Sequence, residues 1–145
     1  MSLIDSLVGY NLRRAAARQR ERFRNVFSSY DIRPVQLTAL TIILHNDRLG
    51  QSMLGKAMDM QRANVVKLLD ELQERGLIER KPLIGDRRAY EVHLTGKGKK
   101  LTLELLAVHE KLEADLAESL GCDELKELVK LLRKFRKVAP EPDIS

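Results

Sequence analysis

The chain has a single cysteine, Cys122, so no internal disulfide can form and packing alone must hold the fold together. Tryptophan is absent and aromatic residues make up only 4%, which leaves Leu, Ile, Val and Ala to supply most of the core. No window reaches the roughly 18 consecutive apolar residues that a membrane-spanning helix requires. The opening "MSLIDSLVGY" lacks the basic segment of a secretory signal, so a cytoplasmic protein is expected. No internal repeat or low-complexity tract occurs. No Gly-rich phosphate loop, Ser/His/Asp set or close carboxylate pair points to catalysis. "HEKLE", His109 to Glu113, is similar to a zinc-protease pattern but lacks its second histidine, half of the helical ligand pair. No cofactor and no metal are expected.

What is present is a chain of 145 residues, enough for one domain with its own core. Its 26 Lys+Arg against 21 Asp+Glu give a formal charge of +5, which favours an anionic partner and leaves the fold class open.

From Leu3 to about Tyr30 there is no proline, and Leu3, Leu7 and Tyr10, then Phe23, Val26, Phe27 and Tyr30, recur at helical spacing. One long helix is predicted, ended by "SSYDIRP" because a residue before proline avoids the helical region. Pro34 suits a first helical turn, and "LTALTIILH" is apolar almost all round, so the helix from Pro34 to His45 should be the central buried element. After the polar turn "NDRLGQ", Ser52 is the expected N-cap of a short helix to about Met58, with Leu54, Ala57 and Met58 inward. A break at "DMQ" precedes a helix from about Arg62 to Arg75, with Val65, Leu68, Leu69 and Leu72 on one face. Gly76 stands where a left-handed residue closes a helix, and Leu77 is placed to touch Leu72.

"LIERK" and "YEVHLT" read as the strands of a hairpin flanking "PLIGDRRA". Thr95 is positioned to cap a helix to about Leu120, striped by Leu101, Leu105, Val108, Leu112 and Leu116. Gly121 closes that helix, and Asp123 is the expected cap of a last one bearing Leu125, Leu128, Val129, Leu132 and Phe135. The predicted order, mainly α with a small β-hairpin wing, is a winged helix-turn-helix core between N- and C-terminal helices. The core spans about residues 34–94, the flanking helices about 3–30 and 95–138, and 139–145 form a flexible tail.

The outward face of the fourth helix shows Arg62, Ala63, Asn64, Val66 and Lys67, with Gln61 just before it. A major groove accepts these side chains: Arg pairs with a guanine edge, Asn with adenine, and Ala or Val touches a thymine methyl. The same letters also describe an ordinary solvated helix face. At the hairpin tip, Asp86, Arg87 and Arg88 place guanidinium groups where they can reach a narrow, electronegative minor groove, with Asp86 orienting Arg88. Lys97, Lys99 and Lys100 occupy a first helical turn, where the helix dipole disfavours cations and duplex phosphates would offset the cost. Gln51 and Ser52, opening the preceding short helix, are further backbone contacts.

The run "LLDELQERGLIERKPLIGDRRAYEVHLTGKGKKL", Leu68 to Leu101, resembles the MarR (multiple antibiotic resistance regulator) family of bacterial transcription regulators. It carries the helix-Gly-Leu-Ile-x-Arg lead into the wing, Asp-x-Arg as Asp86-Arg87-Arg88, and Leu-Thr-x-x-Gly as Leu94, Thr95 and Gly98. The match is weaker over "SMLGKAMDMQRANV", where Asp59 replaces a usual Gly and Gly55 a usual Ala; Asp tolerates the left-handed turn. The resemblance implies a homodimer with interlocked first and last helices, acting most often as a repressor on a pseudo-palindromic operator. It also implies a small-molecule effector in the crevice between the winged core and the dimer helices.

The arginine cluster Arg13, Arg14, Arg18, Arg20, Arg22 and Arg24 reads first as a solvated face partly neutralised across a dimer by the acidic stretch Glu104 to Glu127, and second as a contact for DNA flanks or an acidic partner. Cys122 is a weak redox candidate because Asp123 and Glu124 follow it, the opposite of the cationic surroundings a reactive thiolate needs. The alternative function is a winged-helix protein-interaction module that binds DNA weakly and without sequence preference.

Overall fold

The computed structural model describes residues 3–138, with the side chains of Arg87 and Arg88 outside that description; the expected tail, 139–145, also lies outside it. The chain divides into two compact units, residues 1–105 and 106–145.

The first unit opens with a 3-10 turn at Leu3–Ser6, then α1, Val8–Phe27, and a second 3-10 turn, Ser28–Tyr30. The single helix expected from Leu3 to Tyr30 is therefore three pieces. Leu7 is extended (φ −80°, ψ 121°). Short polar side chains take the backbone groups there: Asn11 Nδ2 donates to the carbonyls of Asp5 (2.8 Å) and Leu7 (2.9 Å), and Ser6 Oγ to that of Leu3 (2.7 Å). Of α1, only Phe23 and Phe27 are buried, stacked with centroids 4.3 Å apart.

Helix α2, Pro34–Leu44, buries Gln36, Leu37, Ala39, Leu40 and Ile43 and is the central element, as its all-round apolarity predicted. β1, Leu49–Gly50, leads directly into α3, Gln51–Met58, and α4 follows at Arg62–Glu74. β2, Ile78–Leu83, and β3, Asp86–Leu94, form the wing; β1 pairs with β3 on its other side, giving a three-stranded antiparallel sheet of order β1-β3-β2 rather than a bare hairpin. A two-residue strand has no period to read, which is why "NDRLGQ" looked like a plain turn.

That third strand also moves the start of α3. Gly50, paired with Glu91, is extended and holds the N-cap position, so Ser52 lies inside the first turn and does not cap. On the inner face of α3, Gly55 joins Leu54, while Ala57 is exposed, contrary to expectation. The crossing of α4 decides this: a Cβ on Gly55 would lie 3.2 Å from Val65 Cγ2 and 3.3 Å from the Met60 carbonyl.

Helix α4 buries Val65, Leu68, Leu69 and Leu72, as its periodicity predicted. Its end is a Schellman motif: Leu77 N donates to Leu72 O (3.0 Å) and Gly76 N to Gln73 O (2.9 Å), with Gly76 at φ +68°. Helix α5 runs Gly96–Leu120 and begins at Thr95, whose Oγ1 accepts from Gly98 N at 3.0 Å, the predicted cap. Gly98 is required by packing, since a Cβ there would sit 1.8 Å from the Leu77 carbonyl oxygen.

In the second unit, α5 ends at Gly121 (φ +96°) and α6 spans Cys122–Val138. Leu125 N donates to Gly121 O at 3.0 Å, so α6 starts from Gly121, and Asp123 is one residue inside it rather than its cap. Asp123 faces Lys126 instead, at 3.6 Å. No residue of α6 is buried: its stripe remains open, with Leu128 42% and Phe135 44% exposed.

The contrast between two glycines of the first α5 turn is directly testable. Gly98→Ala should cost about 3 kcal/mol or more by forcing the helix start off Leu77. Gly96→Ala, with nothing within 4 Å of the added Cβ, should be neutral or stabilise by up to about 1 kcal/mol. Urea titration of the two variants measures both.

Candidate nucleic-acid interface

The turn between α3 and α4 is built around Asp59 in the left-handed region (φ 52°), the conformation the sequence assigned to it. Met60 N donates to Gly55 O at 2.9 Å and closes the turn. With its buried face committed to the core, α4 offers Arg62, Ala63, Asn64 and Lys67 fully outward and Val66 half-buried, and Gln61 before them is exposed. At the start of α3, Ser52 is exposed and Gln51 half-buried. The N-terminal turn of α4, with its positive dipole end, is thus the open end of the helix.

The C-terminal half of α4 is tied on every side. Arg33, preceding α2, forms an ion pair with Glu71. Buried Gln36 accepts from Arg33 N (3.0 Å) and reaches Glu71 (3.4 Å). Arg75 Nη1 donates to the carbonyl of Asp31 (2.8 Å), itself left-handed at φ 48°, anchoring α4 to the α1–α2 connection. From the wing, Arg80 Nη2 donates to Asp70 Oδ1 (2.7 Å) and Nη1 to Gln73 Oε1 (2.8 Å). No local sequence pattern marks these pairings. Arg80 was visible only as the last residue of the Gly-Leu-Ile-x-Arg motif, with no indication of its partners.

The ends of α4 and α5 meet in one joint. Thr95 Oγ1 donates to Gly76 O at 2.6 Å while accepting from Gly98 N. Lys97 Nζ donates to Arg75 O at 2.9 Å, at the negative end of α4. The cation that conflicts with the dipole of its own helix therefore satisfies that of another. Lys99 and Lys100 are exposed, and no ion pair among the described residues includes them.

In the wing, β2 and β3 are joined by Ile84 and Gly85, with Gly85 at φ +98°. Asp86, Arg87 and Arg88 are not the turn itself but the first residues of β3. Pro82 pairs with Tyr90 and Leu83 with Asp86, so one step along β2 spans four along β3. Arg87, Arg88 and Ala89 are the surplus, a bulge that bends the strand just behind its tip. The expected pairing of Asp86 with Arg88 and the reach of both arginines lie outside the described side chains. Among the described residues no three of His, Cys, Asp or Glu come together to hold a metal.

Comparison with known proteins adds four findings. A family model described as the MarR family matches residues 30–89, from the last residue of the second 3-10 turn into β3. The transcriptional repressor CouR bound to a 23-mer DNA duplex is 29% identical with a TM-score of 0.89, the match covering 94% of this chain and 96% of that one. CouR bound to p-coumaroyl-CoA matches at 26% identity and TM-score 0.85, over 96% and 98% of the two chains. Wild-type MarR from E. coli, in its apo form, matches at 25% and 0.72, over 88% and 96%.

The lysines of the α5 turn should separate by sign. Without DNA, Lys97→Ala should lower stability by about 0.5–1 kcal/mol through the lost bond to the end of α4. Lys99→Ala and Lys100→Ala should leave it unchanged or raise it by a few tenths of a kcal/mol, roughly, by removing cations from a helix start. Thermal or urea melts of the three variants check the ordering.

Proposed function

We propose that this chain, whose residues 30–89 match a family model described as the MarR family, is a regulator of that family that represses transcription as a homodimer on a pseudo-palindromic duplex operator, under control of a small-molecule effector. It is a regulator, not an enzyme. The observation that carries this reading is the first two turns of α4: a tightly anchored helix whose one open end presents Arg62, Ala63, Asn64 and Lys67. Supporting it, a DNA-bound repressor matches nearly the whole length of the chain.

In this mechanism Gln61, Arg62, Ala63, Asn64, Val66 and Lys67 meet base edges in the major groove. Asp86, Arg87 and Arg88, at the start of β3 beside the wing tip, serve the adjacent minor groove. Gln51, Ser52, Lys99 and Lys100 hold phosphates. Lys97 contributes less, because one of its donors already serves Arg75. The open stripe of α6 and the exposed Leu3, Leu7 and Val8 supply apolar area for a two-fold partner. A dimer sets its two reading helices about 34–36 Å apart, one turn of B-DNA. Among the described residues no helix is long and apolar enough to cross a membrane, and the proposed place of action is the cytoplasm. By likeness to the repressor seen with p-coumaroyl-CoA, the effector is a small organic ligand that changes operator affinity.

Selection of bound genomic fragments with the full chain tests the reading. One two-fold-symmetric site should emerge. Arg62→Ala should cost about 1–3 kcal/mol at that site and relax the preference at one base position. Lys99→Ala should weaken all duplexes alike and lower the salt slope by about 1. Fragments without common sequence would overturn the proposal.

A further inference from the structure

Arg80 holds a position that the geometry of the sheet assigns to an apolar side chain. Residues paired across an antiparallel ladder share a face. Arg80 is paired with Val92, and Val92 on its other side with Leu49. Both neighbours are buried, and so is Ile78, two residues earlier on the same face of β2. Along that face the strand passes from buried Ile78 to Arg80, with a side chain 21% exposed, to exposed Pro82. No residue from Lys81 to Asp86 is buried, so Arg80 is where the covered part of β2 ends.

A guanidinium at this place is largely removed from water and must be paired. Its planar fork grips α4 at two points one turn apart, Asp70 at 2.7 Å and Gln73 at 2.8 Å. Asp70 lies one turn beyond Lys67 on the outward face of α4. The fork therefore joins the root of the wing to the helix that carries the outward-facing Arg62, Asn64 and Lys67, at the border between the covered and the exposed part of the sheet.

We propose that Arg80, held by Asp70 and Gln73, is a positioning residue that sets the wing tip relative to the open end of α4, and so fixes the interval between major-groove and minor-groove contacts. It acts on discrimination between duplexes rather than on attraction to phosphate. This rests on the DNA-binding reading above.

The test compares Asp70→Asn, Arg80→Gln and Gln73→Ala in the full chain, measuring affinity for the selected site and for a random duplex over a range of salt. Asp70→Asn makes the protein more basic, so simple electrostatics would leave the preference for the selected site intact. The proposal requires that preference to fall about tenfold in Asp70→Asn and Arg80→Gln, a change of about 1.4 kcal/mol. Gln73→Ala, which leaves the ion pair in place, should show a smaller fall in the same direction. The salt slope of Arg80→Gln should equal that of the parent. In the free proteins, amides of β2 and β3 should exchange faster while those of α2 do not. An unchanged preference in Asp70→Asn, or a slope lower by about 1 in Arg80→Gln, would overturn the proposal in favour of a direct phosphate contact. Unchanged wing exchange would overturn it independently of DNA. A parent protein that selects no site fails the DNA-binding reading instead, and the exchange measurement still decides the wing tie.

Discussion

The architecture of the first unit depends on how the end of α4 is joined to the start of α5. A helix leaves carbonyls unsatisfied at one end and amides at the other, and here each supplies what the other lacks. Thr95 serves both, donating to Gly76 O and accepting from Gly98 N. Lys97 adds a cation at the carbonyl of Arg75. The approach is close enough that only glycine fits at 98, against the backbone of Leu77. The conflict between a lysine-rich first turn and its own helix dipole is thus partly removed inside the chain, by opposing one dipole with another.

From that joint the remaining ties radiate. Arg75 reaches the left-handed Asp31 between α1 and α2, Glu71 pairs with Arg33, and Asp70 with Arg80 of the wing. All lie in the second half of α4 or at its C-cap. The first two turns carry no such tie to the wing or to α2 in the described network, and there the exposed Arg62, Asn64 and Lys67 stand. A helix clamped along one half and open along the other can present side chains at a defined angle while leaving them free to bond elsewhere. Reading a groove demands that combination, because bidentate contacts to base edges tolerate little error in direction.

Where the pattern was periodic, the sequence was legible. The 3- and 4-residue recurrence in α4 and α5 marked their inner faces, the all-round apolarity of α2 marked it as buried, and Gly76 with Leu77 marked the end of α4, because these signals act within a single turn. Errors fell where a neighbour decided. Ser52 has the chemistry of a cap, yet the pairing of Gly50 with Glu91 starts α3 earlier. Ala57 has the character of a core residue, yet the crossing of α4 selects Gly55. Asp123 lost its place to Gly121, whose left-handed backbone both ends α5 and begins α6. The break at Leu7 was hidden because neither its extended backbone nor the bonds from Asn11 to two carbonyls leave a mark on the hydrophobic period.

The same division holds for the candidate interface. Spacing alone determined that Arg62, Ala63, Asn64 and Lys67 share the face opposite Val65, Leu68, Leu69 and Leu72, and motif order alone identified the winged core. Only the tertiary structure decided that Lys97 bonds to the carbonyl of Arg75, that Arg80 belongs to Asp70 and Gln73, and that the wing arginines lie in a bulge of β3 rather than form the turn. Helical and strand periods are properties of a few adjacent residues, so the chain carries them in itself. Which guanidinium meets which carboxylate depends on the angles at which helices and strands cross, and those are set by the packing of the whole core.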